Sequence, residues 1–321
     1  MITFERVTKQ YEDGTKAVSN LDLSIKKGEF FVVIGPSGCG KTTTMKMINR
    51  LIDPTDGTIR INDQPITEGD IHKLRWNIGY VLQQIALFPN MTVGENIAVV
   101  PEMKKWEKSR IRDRVNELLE LVGLDADVYR HRMPTELSGG QQQRVGVARA
   151  LAADPDILLM DEPFSALDPI SREQLQEDIK NLQHSIKKTI VFVTHDMDEA
   201  LKLGDRICVM KEGKVVQVGT ASELMYEATD SFVTDFIGDR ALKRAPKRVV
   251  RVHEIMRPVS ENHQSLGTTE RSILFDAPIE EAYQLLEEDP IAPLLVKEAN
   301  KVVGTISYAE LAKAWMKERE A

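Results

Sequence analysis

The chain has 321 residues, 42% hydrophobic and 29% charged, the balance of an ordinary soluble protein with room for one sizeable domain and a smaller one. A formal net charge of −8 argues against a nucleic-acid binder, which carries a basic excess. Two cysteines, Cys39 and Cys208, are too few for a disulfide framework and suit a reducing compartment.

The start, Met1 to Glu5, lacks the basic and apolar regions of a signal peptide. The longest apolar runs are strand-sized, far below the roughly 18 to 20 residues that cross a bilayer. A cytoplasmic location is expected, with any membrane role exercised through a partner.

In chain order, residues 2–7, 18–25 and 30–34 read as strands. The last is a short continuous apolar run, the pattern of a strand covered on both faces. It ends in Gly35-Pro36-Ser37-Gly38-Cys39-Gly40-Lys41-Thr42, which fits G-x-x-x-x-G-K-[ST]. Glycines let such a loop wrap closely, so that successive backbone N–H groups point at phosphate oxygens. A helix expected over 41–51, with Met45, Ile48 and Leu51 on one face, adds the positive end of its dipole. Lys41 is the mobile cation for the β- and γ-phosphates, the Thr42 hydroxyl is a Mg²⁺ ligand, and Thr43 completes the nucleotide-binding set. Tyr11 offers an aromatic face for adenine.

A strand over 78–82 precedes Gln83, whose neutral amide can reach Mg²⁺ or a water; Gln84 is the competitor for that role. From about 89 to 154 the pattern is helical. Its clearest case is 110–122, with Ile111, Val115, Leu118, Leu119 and Val122 on one side. This insertion carries Leu137-Ser138-Gly139-Gly140-Gln141 at the start of its own helix. The apolar run 157–160 then ends in Asp161-Glu162. Asp161 is placed to hold Mg²⁺ through water, and Glu162 to face the attacking water as general base or water-orienting group. The run 189–194 ends in His195, which on the next parallel strand points at the γ-phosphate beside Glu162, and 206–211 follows as a strand. Strands alternating with helices imply a doubly wound parallel sheet with its site at the carboxyl ends of the strands.

Residues 239–248 are short, basic and contain Pro246, and mark a domain boundary. The remainder shows an amphipathic helix over 279–286, strands over 294–296 and 302–306 around a turn at Asn300, and a final helix.

Together these motifs resemble the nucleotide-binding subunits of ABC transporters, over about residues 1–238. Gly35 to Thr42 resembles the Walker A loop, Gln83 the Q-loop glutamine, and Leu137 to Gln141 the signature sequence. Asp161 and Glu162 resemble the Walker B aspartate and catalytic glutamate, Ser165-Ala166-Leu167-Asp168 the D-loop, His195 the switch histidine, and Tyr11 the A-loop aromatic. The resemblance implies an α/β P-loop NTPase core of ABC type with a helical subdomain at about 89–154. It also implies a head-to-tail dimer with a second copy of the chain, holding two ATP molecules in the interface. Ser138 and Gly140 of one copy, with Gly139 and Gln141 beside them, would meet the γ-phosphate gripped by the other copy's Lys41. Transmembrane permease subunits would dock beside Gln83 and the helical insertion, on the cytoplasmic side of the membrane. An extracytoplasmic or fused solute-binding protein completes such a system, and nucleic acid has no part in it.

Val81-Leu82-Gln83-Gln84-Ile85-Ala86-Leu87-Phe88-Pro89-Asn90-Met91-Thr92, then Glu95-Asn96-Ile97, Val99-Val100-Pro101 and Trp106, look like the uptake ATPases for glycine betaine, carnitine, choline and related osmoprotectants. Residues 249–321, with Val252 to Val259 leading, resemble one cystathionine-β-synthase (CBS) repeat of small α+β form. That implies either regulation by ionic strength or an adenine nucleotide, or a structural dimerisation remnant. Lys243, Arg244, Lys247, Arg248 and Arg251 suit a solvated linker, with anionic lipid heads as the alternative. Cys39 raises a redox alternative to its plain place in the loop. The rival readings are a soluble ABC ATPase of DNA repair or translation, and an ABC ATPase for a different solute. The single cassette and the absence of a long coiled coil disfavour the first.

Overall fold

The computed structural model describes residues 1–238 apart from 166 and 187, together with 251–258, 271–277, 279–287, 292–298 and 301–311. Two compact units divide the chain, Met1–Ala241 and Leu242–Ala321.

The first unit opens with β1 (Ile2–Gln10), β2 (Lys16–Ile25) and β3 (Phe30–Ile34), then α1 (Lys41–Ile48). Next come β4 (Asp56–Ile61), β5 (Gln64–Pro65), α2 (Ile71–Trp76) and β6 (Ile78–Val81). A helical stretch follows, with α3 (Val93–Met103), α4 (Lys108–Leu121), α5 (Ala126–Tyr129) and α6 (Gly139–Leu151). The chain then alternates through β7 (Ile157–Asp161), α7 (Pro169–Ile186), β8 (Thr189–Thr194), α8 (Met197–Leu203) and β9 (Arg206–Lys211). It closes with β10 (Lys214–Gly219), α9 (Ala221–Tyr226) and α10 (Ser231–Ile237).

The central sheet runs β10-β9-β3-β8-β7-β6 and is parallel from β9 to β6. Its strands bury both faces, as continuous apolar runs require. Phe30, Val32 and Ile34 of β3 enter one core with the helices α3, α4 and α6, while Phe31 and Val33 enter another with α1 and the β1–β2 pair. The same split separates Leu158 and Met160 from Ile157 and Leu159, and Ile190 and Phe192 from Val191 and Val193.

Two features depart from a purely parallel sheet. β1, β2, β4 and β5 form a separate antiparallel sheet in the order β2-β1-β4-β5. In β2 the buried Leu21, Leu23 and Ile25 alternate with exposed Asn20, Asp22 and Ser24, the signature of a sheet packed on one face alone. β10 pairs antiparallel with β9 because Glu212 and Gly213 between them both take positive φ, 49° and 75°, as a tight hairpin demands.

The expected helix over 41–51 is also shorter. Asn49 caps α1, Arg50 turns left-handed at φ 54°, and the Leu51 and Ile52 N–H groups fold back onto the Lys46 carbonyl. Leu51 therefore leaves the apolar face and stands 51% exposed. In α4, by contrast, Ile111, Val115, Leu118 and Leu119 are buried as the periodicity requires, and Val122 is buried just beyond.

In the second unit β11 (Arg257–Pro258), β12 (Ser272–Leu274), β13 (Leu294–Glu298) and β14 (Lys301–Ile306) make a sheet ordered β11-β14-β13-β12. Helices Val252–Ile255 and Ile279–Glu287 pack Val252, Ile279, Ala282 and Leu286 against Leu294, Val296 and Ile306. The basic residues Lys243, Arg244, Lys247 and Arg248, Pro246, the turn at Asn300, Val259 and the final helix lie outside the described residues. No helix among the described residues is long and apolar enough to cross a membrane.

Candidate active site

Strand register decides which residues meet. Ile34 of β3 lies beside Thr194 of β8, Val193 beside Asp161 of β7, and Met160 beside Val81 of β6. The residues that follow these strand ends therefore emerge on one rim. Gly35, His195, Glu162 and Gln83 share that rim although their sequence positions run from 35 to 195.

The loop after β3 has the shape its glycines allow. Gly35 and Gly40 take φ of 156° and 101°, and a Cβ at either would strike a backbone carbonyl, that of Met210 or Ala17. Pro36, Ser37 and Gly38 are exposed, whereas Cys39 and Gly40 are buried. Lys41, 5% exposed, donates from Nζ to the Gly35 and Pro36 carbonyls at 2.8 and 2.9 Å. The cation is thus drawn across its own loop by two of its three N–H donors. Thr42 and Thr43 are half-buried in the first turn of α1.

Asp161 is 5% exposed, and its Oδ1 accepts from the Thr42 hydroxyl at 3.0 Å. Burial raises its carboxyl above the usual range, and the Thr42 hydrogen bond works the other way. Tyr80 of β6 donates to Asp161 Oδ2 at 3.4 Å. Burial, then the Asp161 charge, pushes that phenol up, so it stays a donor. Sequence reasoning missed Tyr80, which reads as an ordinary strand aromatic.

Glu162 sits at φ 42°, a left-handed conformation uncommon outside glycine and costly to hold. Its N–H donates to the Val193 carbonyl at 2.9 Å, and the Ser165 hydroxyl donates to its carbonyl at 2.9 Å. Its Oε2 accepts from Gln83 Nε2 at 3.2 Å and lies 3.1 Å from His195 Nδ1. Gln83 and His195 thus converge on one carboxylate oxygen, and it is Gln83 rather than Gln84 that the structure brings there. Thr42 and Asp161, in contact with each other, and the side-chain oxygen of Gln83 are hard donors of the kind that fits Mg²⁺.

The tip of α6 is built locally. Ser138 is its N-cap and accepts from the Gln141 N–H at 3.3 Å, while Gln141 Oε1 accepts from the Ser138 N–H at 3.0 Å, a capping box. Gln141 Nε2 also donates to the Tyr129 hydroxyl at 3.0 Å. Gly139 has open space where a side chain would stand, and at Gly140 a Cβ would come within 3.3 Å of Ser171 on α7. Asp168, exposed, accepts from the Ser171 N–H at 3.1 Å, and Ala166 beside it lies outside the described residues. From the same helix Arg149 donates to the Ala86 carbonyl at 2.6 Å, which ties α6 to the segment after Gln83. Asn96, fully buried, braces that segment further on: it accepts from Phe88 N–H and donates to the carbonyls of Phe88, Met91 and Thr92.

Tyr11 presents a 40% exposed ring, with Lys9 Nζ 5.4 Å from its centroid. Burial raises the Cys39 thiol, and pushes that of Cys208, which is wholly buried, up to about 12. A redox role for Cys39 needs thiolate, which this environment suppresses.

A sequence family described as ABC transporter matches residues 18–165. The chain is 51% identical over 312 residues to the carnitine transport ATP-binding protein OpuCA of Listeria monocytogenes, covering 97% of this chain and 76% of that protein. It is 50% identical over 303 residues to the glycine betaine/carnitine/choline transport ATP-binding protein OpuCA of Bacillus subtilis, covering 94% and 77%. Among solved structures, the dimeric post-hydrolysis state of the ATP-binding cassette MJ0796 bound to ADP and Pi superposes with a TM-score of 0.62 at 37% identity, over 69% of this chain and 99% of that one.

Proposed function

The chain belongs to the ABC transporter family of ATP-binding proteins, and from that premise we propose that it hydrolyses ATP to drive import of a quaternary-amine osmoprotectant such as glycine betaine, carnitine or choline. The observation that carries the hydrolytic part is the convergence of Gln83 and His195 on Glu162 Oε2 at the mouth of the phosphate loop. The choice of solute rests on the 51% and 50% identities to proteins so named.

In this reading the loop 35–43, through the backbone N–H groups of its residues other than Pro36, and the Lys41 ammonium bind the β- and γ-phosphates, and Tyr11 stacks on adenine. Thr42, Asp161 (through water) and Gln83 would hold Mg²⁺, which would supply charge neutralisation for phosphoryl transfer. Glu162 accepts a proton from, or orients, the attacking water. His195 holds that carboxylate in place and reaches toward the γ-phosphate. Ser138, Gly139, Gly140 and Gln141 of a second copy complete the pocket from the opposite side, with Asp168 at the seam, where a helix start stabilises phosphate charge. The bonds across the interface then depend on the triphosphate, so hydrolysis loosens the pair.

The ATPase would sit peripherally on the cytoplasmic face of the membrane, docked to permease subunits through the braced segment 83–96 and the helical subdomain at about 89–154. A solute-binding protein would deliver the cargo from outside. Residues 1–238 form the cassette, 239–248 the linker, and 249–321 a CBS-like module that adjusts transport to ionic strength or an adenine nucleotide.

Uptake of labelled glycine betaine, carnitine and choline, in cells carrying the wild-type chain or Glu162→Gln, tests the solute. Loss of uptake of at least one is expected. Unchanged uptake of all three overturns the solute assignment. Failure to co-purify from membranes with a multi-span partner overturns the transport role.

A further inference from the structure

Behind His195 lies a small polar cavity that hydrolysis as described leaves unused. It measures about 50 Å³ and is lined by Glu162, Ser165, Arg172, Thr194, His195 and Glu199 among others. Glu199, on α8, is 6% exposed, and its Oε2 accepts from the Thr194 hydroxyl at 2.6 Å. That hydroxyl oxygen in turn accepts from the Asp196 N–H at 3.0 Å. The residues on either side of His195 are therefore tied to one buried carboxylate.

Burying a carboxylate is costly unless something compensates for the lost water. Burial raises the Glu199 carboxyl, and among the groups opposing that rise are the Thr194 hydroxyl first and the Arg172 guanidinium after it. Arg172 comes from α7, just beyond the turn that carries Asp168. Its Nη2 donates to the Leu167 carbonyl at 3.2 Å, and its Nε is buried with no protein partner. The space between the two side chains is large enough and polar enough for an ordered water.

We propose that Glu199 and Arg172 are paired positioning residues, which act across this cavity to fix how His195 meets Glu162 and to tie that geometry to the turn at 165–168. The inference rests on the reading of Glu162 and His195 as hydrolytic groups. His195 itself is well exposed, its side chain 59% accessible, so its ring gains little orientation from packing. Besides its contact with Glu162 Oε2, what orients it is the strand end, and Thr194 and Asp196 on that strand end answer to Glu199. Displacement of a reacting group by about 1 Å can cost roughly 100-fold in rate.

The test uses the full chain and steady-state ATP hydrolysis, with kcat and KM for ATP measured separately. Glu199→Gln, Arg172→Gln and Thr194→Val are each expected to lower kcat roughly ten- to a hundred-fold with KM for ATP nearly unchanged. Thr194→Ser, which keeps the hydroxyl, is expected to retain wild-type kcat. The Glu199→Gln/Arg172→Gln double variant is expected to be no slower than the worse single variant, since the two act as a unit. Losses that multiply in the double variant, or a wild-type kcat in Thr194→Val, overturn the pairing. If Glu199→Gln fails to fold, as thermal unfolding would reveal, the Thr194→Val and Thr194→Ser pair decides alone. His195→Ala run alongside separates the two levels: wild-type turnover there sinks the hydrolytic reading and this inference with it. An inactive His195→Ala beside fully active Glu199→Gln and Thr194→Val sinks this inference only.

Discussion

At the carboxyl ends of β3, β6, β7 and β8, functional side chains are held by contacts from far along the chain. Thr42 meets Asp161 across 119 residues, and Gln83 meets Glu162 across 79. At the tip of α6 the bonding of Ser138 runs to Gln141, three residues away. The first surface is organised by the sheet, and its geometry exists only once the central strands pair. The second is organised by a capping box, a local device that satisfies helix-end N–H groups and leaves the tip free to face something outside its own turn. Under the proposed function, gripping a nucleotide and completing its pocket would then be separable properties of the molecule.

The strongest test of that separation is Glu162→Gln. The substitution keeps size and hydrogen bonding while removing the carboxylate on which Gln83 and His195 converge. Turnover is expected to fall by about 10²- to 10⁴-fold. ATP affinity should persist, because Lys41 and the loop backbone are untouched, and size-exclusion chromatography with ATP should show an accumulated dimer. A monomeric Glu162→Gln protein hydrolysing ATP at the wild-type rate would remove Glu162 from the reaction.

The same local-versus-distant contrast explains what could be read before the fold was known. The phosphate loop, the Leu137 to Gln141 segment at a helix start and the α4 stripe of Ile111, Val115, Leu118 and Leu119 are each written within about a dozen residues. The order of the loop, the Leu137 to Gln141 segment and the Asp161-Glu162 pair along the chain then carries the family resemblance. The meeting of Gln83, Glu162 and His195 is anticipated from their places at the ends of parallel strands, although nothing in their spacing encodes the register that brings them to one oxygen. Tyr80, Arg172 and Glu199 were illegible: each looks like an ordinary strand or helix residue until burial gives it a partner. The antiparallel β1–β2 sheet was missed for another reason. Alternation marks a one-sided strand but says nothing about which sheet it joins.

A smaller effect is expected at the other surface. Ser138→Ala removes an N-cap, worth about 1 kcal/mol of stability. It also removes a hydroxyl offered to phosphate, and hydrogen bonds to charged groups contribute about 1.5 to 3 kcal/mol. Turnover should therefore drop at least about ten-fold at saturating ATP. Binding of a fluorescent ATP analogue to the dilute, monomeric chain should not change. If Ser138→Ala weakens that monomer binding as much as Lys41→Ala does, the two surfaces are not separable and the contrast fails.

The smallest expected effect sharpens the first surface from within. Cys39 lies inside the phosphate loop by sequence, yet its side chain is 4% exposed and packs in the core with Met45 and Val33, beneath the Gly35 turn. This side chain faces inward from the loop, so the nucleotide should not register its chemistry. Burial raises the thiol, and a raised thiol is a poor nucleophile at neutral pH. Cys39→Ala should leave kcat and KM for ATP unchanged and lower stability by roughly 1 kcal/mol through lost packing. Iodoacetamide should likewise leave the folded ATPase active while labelling Cys39 after denaturation, as mass spectrometry would read. Rapid inactivation of the native chain, prevented by Cys39→Ala, would mean that the loop opens far enough to expose its underside. The phosphate grip would then be a mobile structure, where the contacts of Lys41 with Gly35 and Pro36 describe a preorganised one.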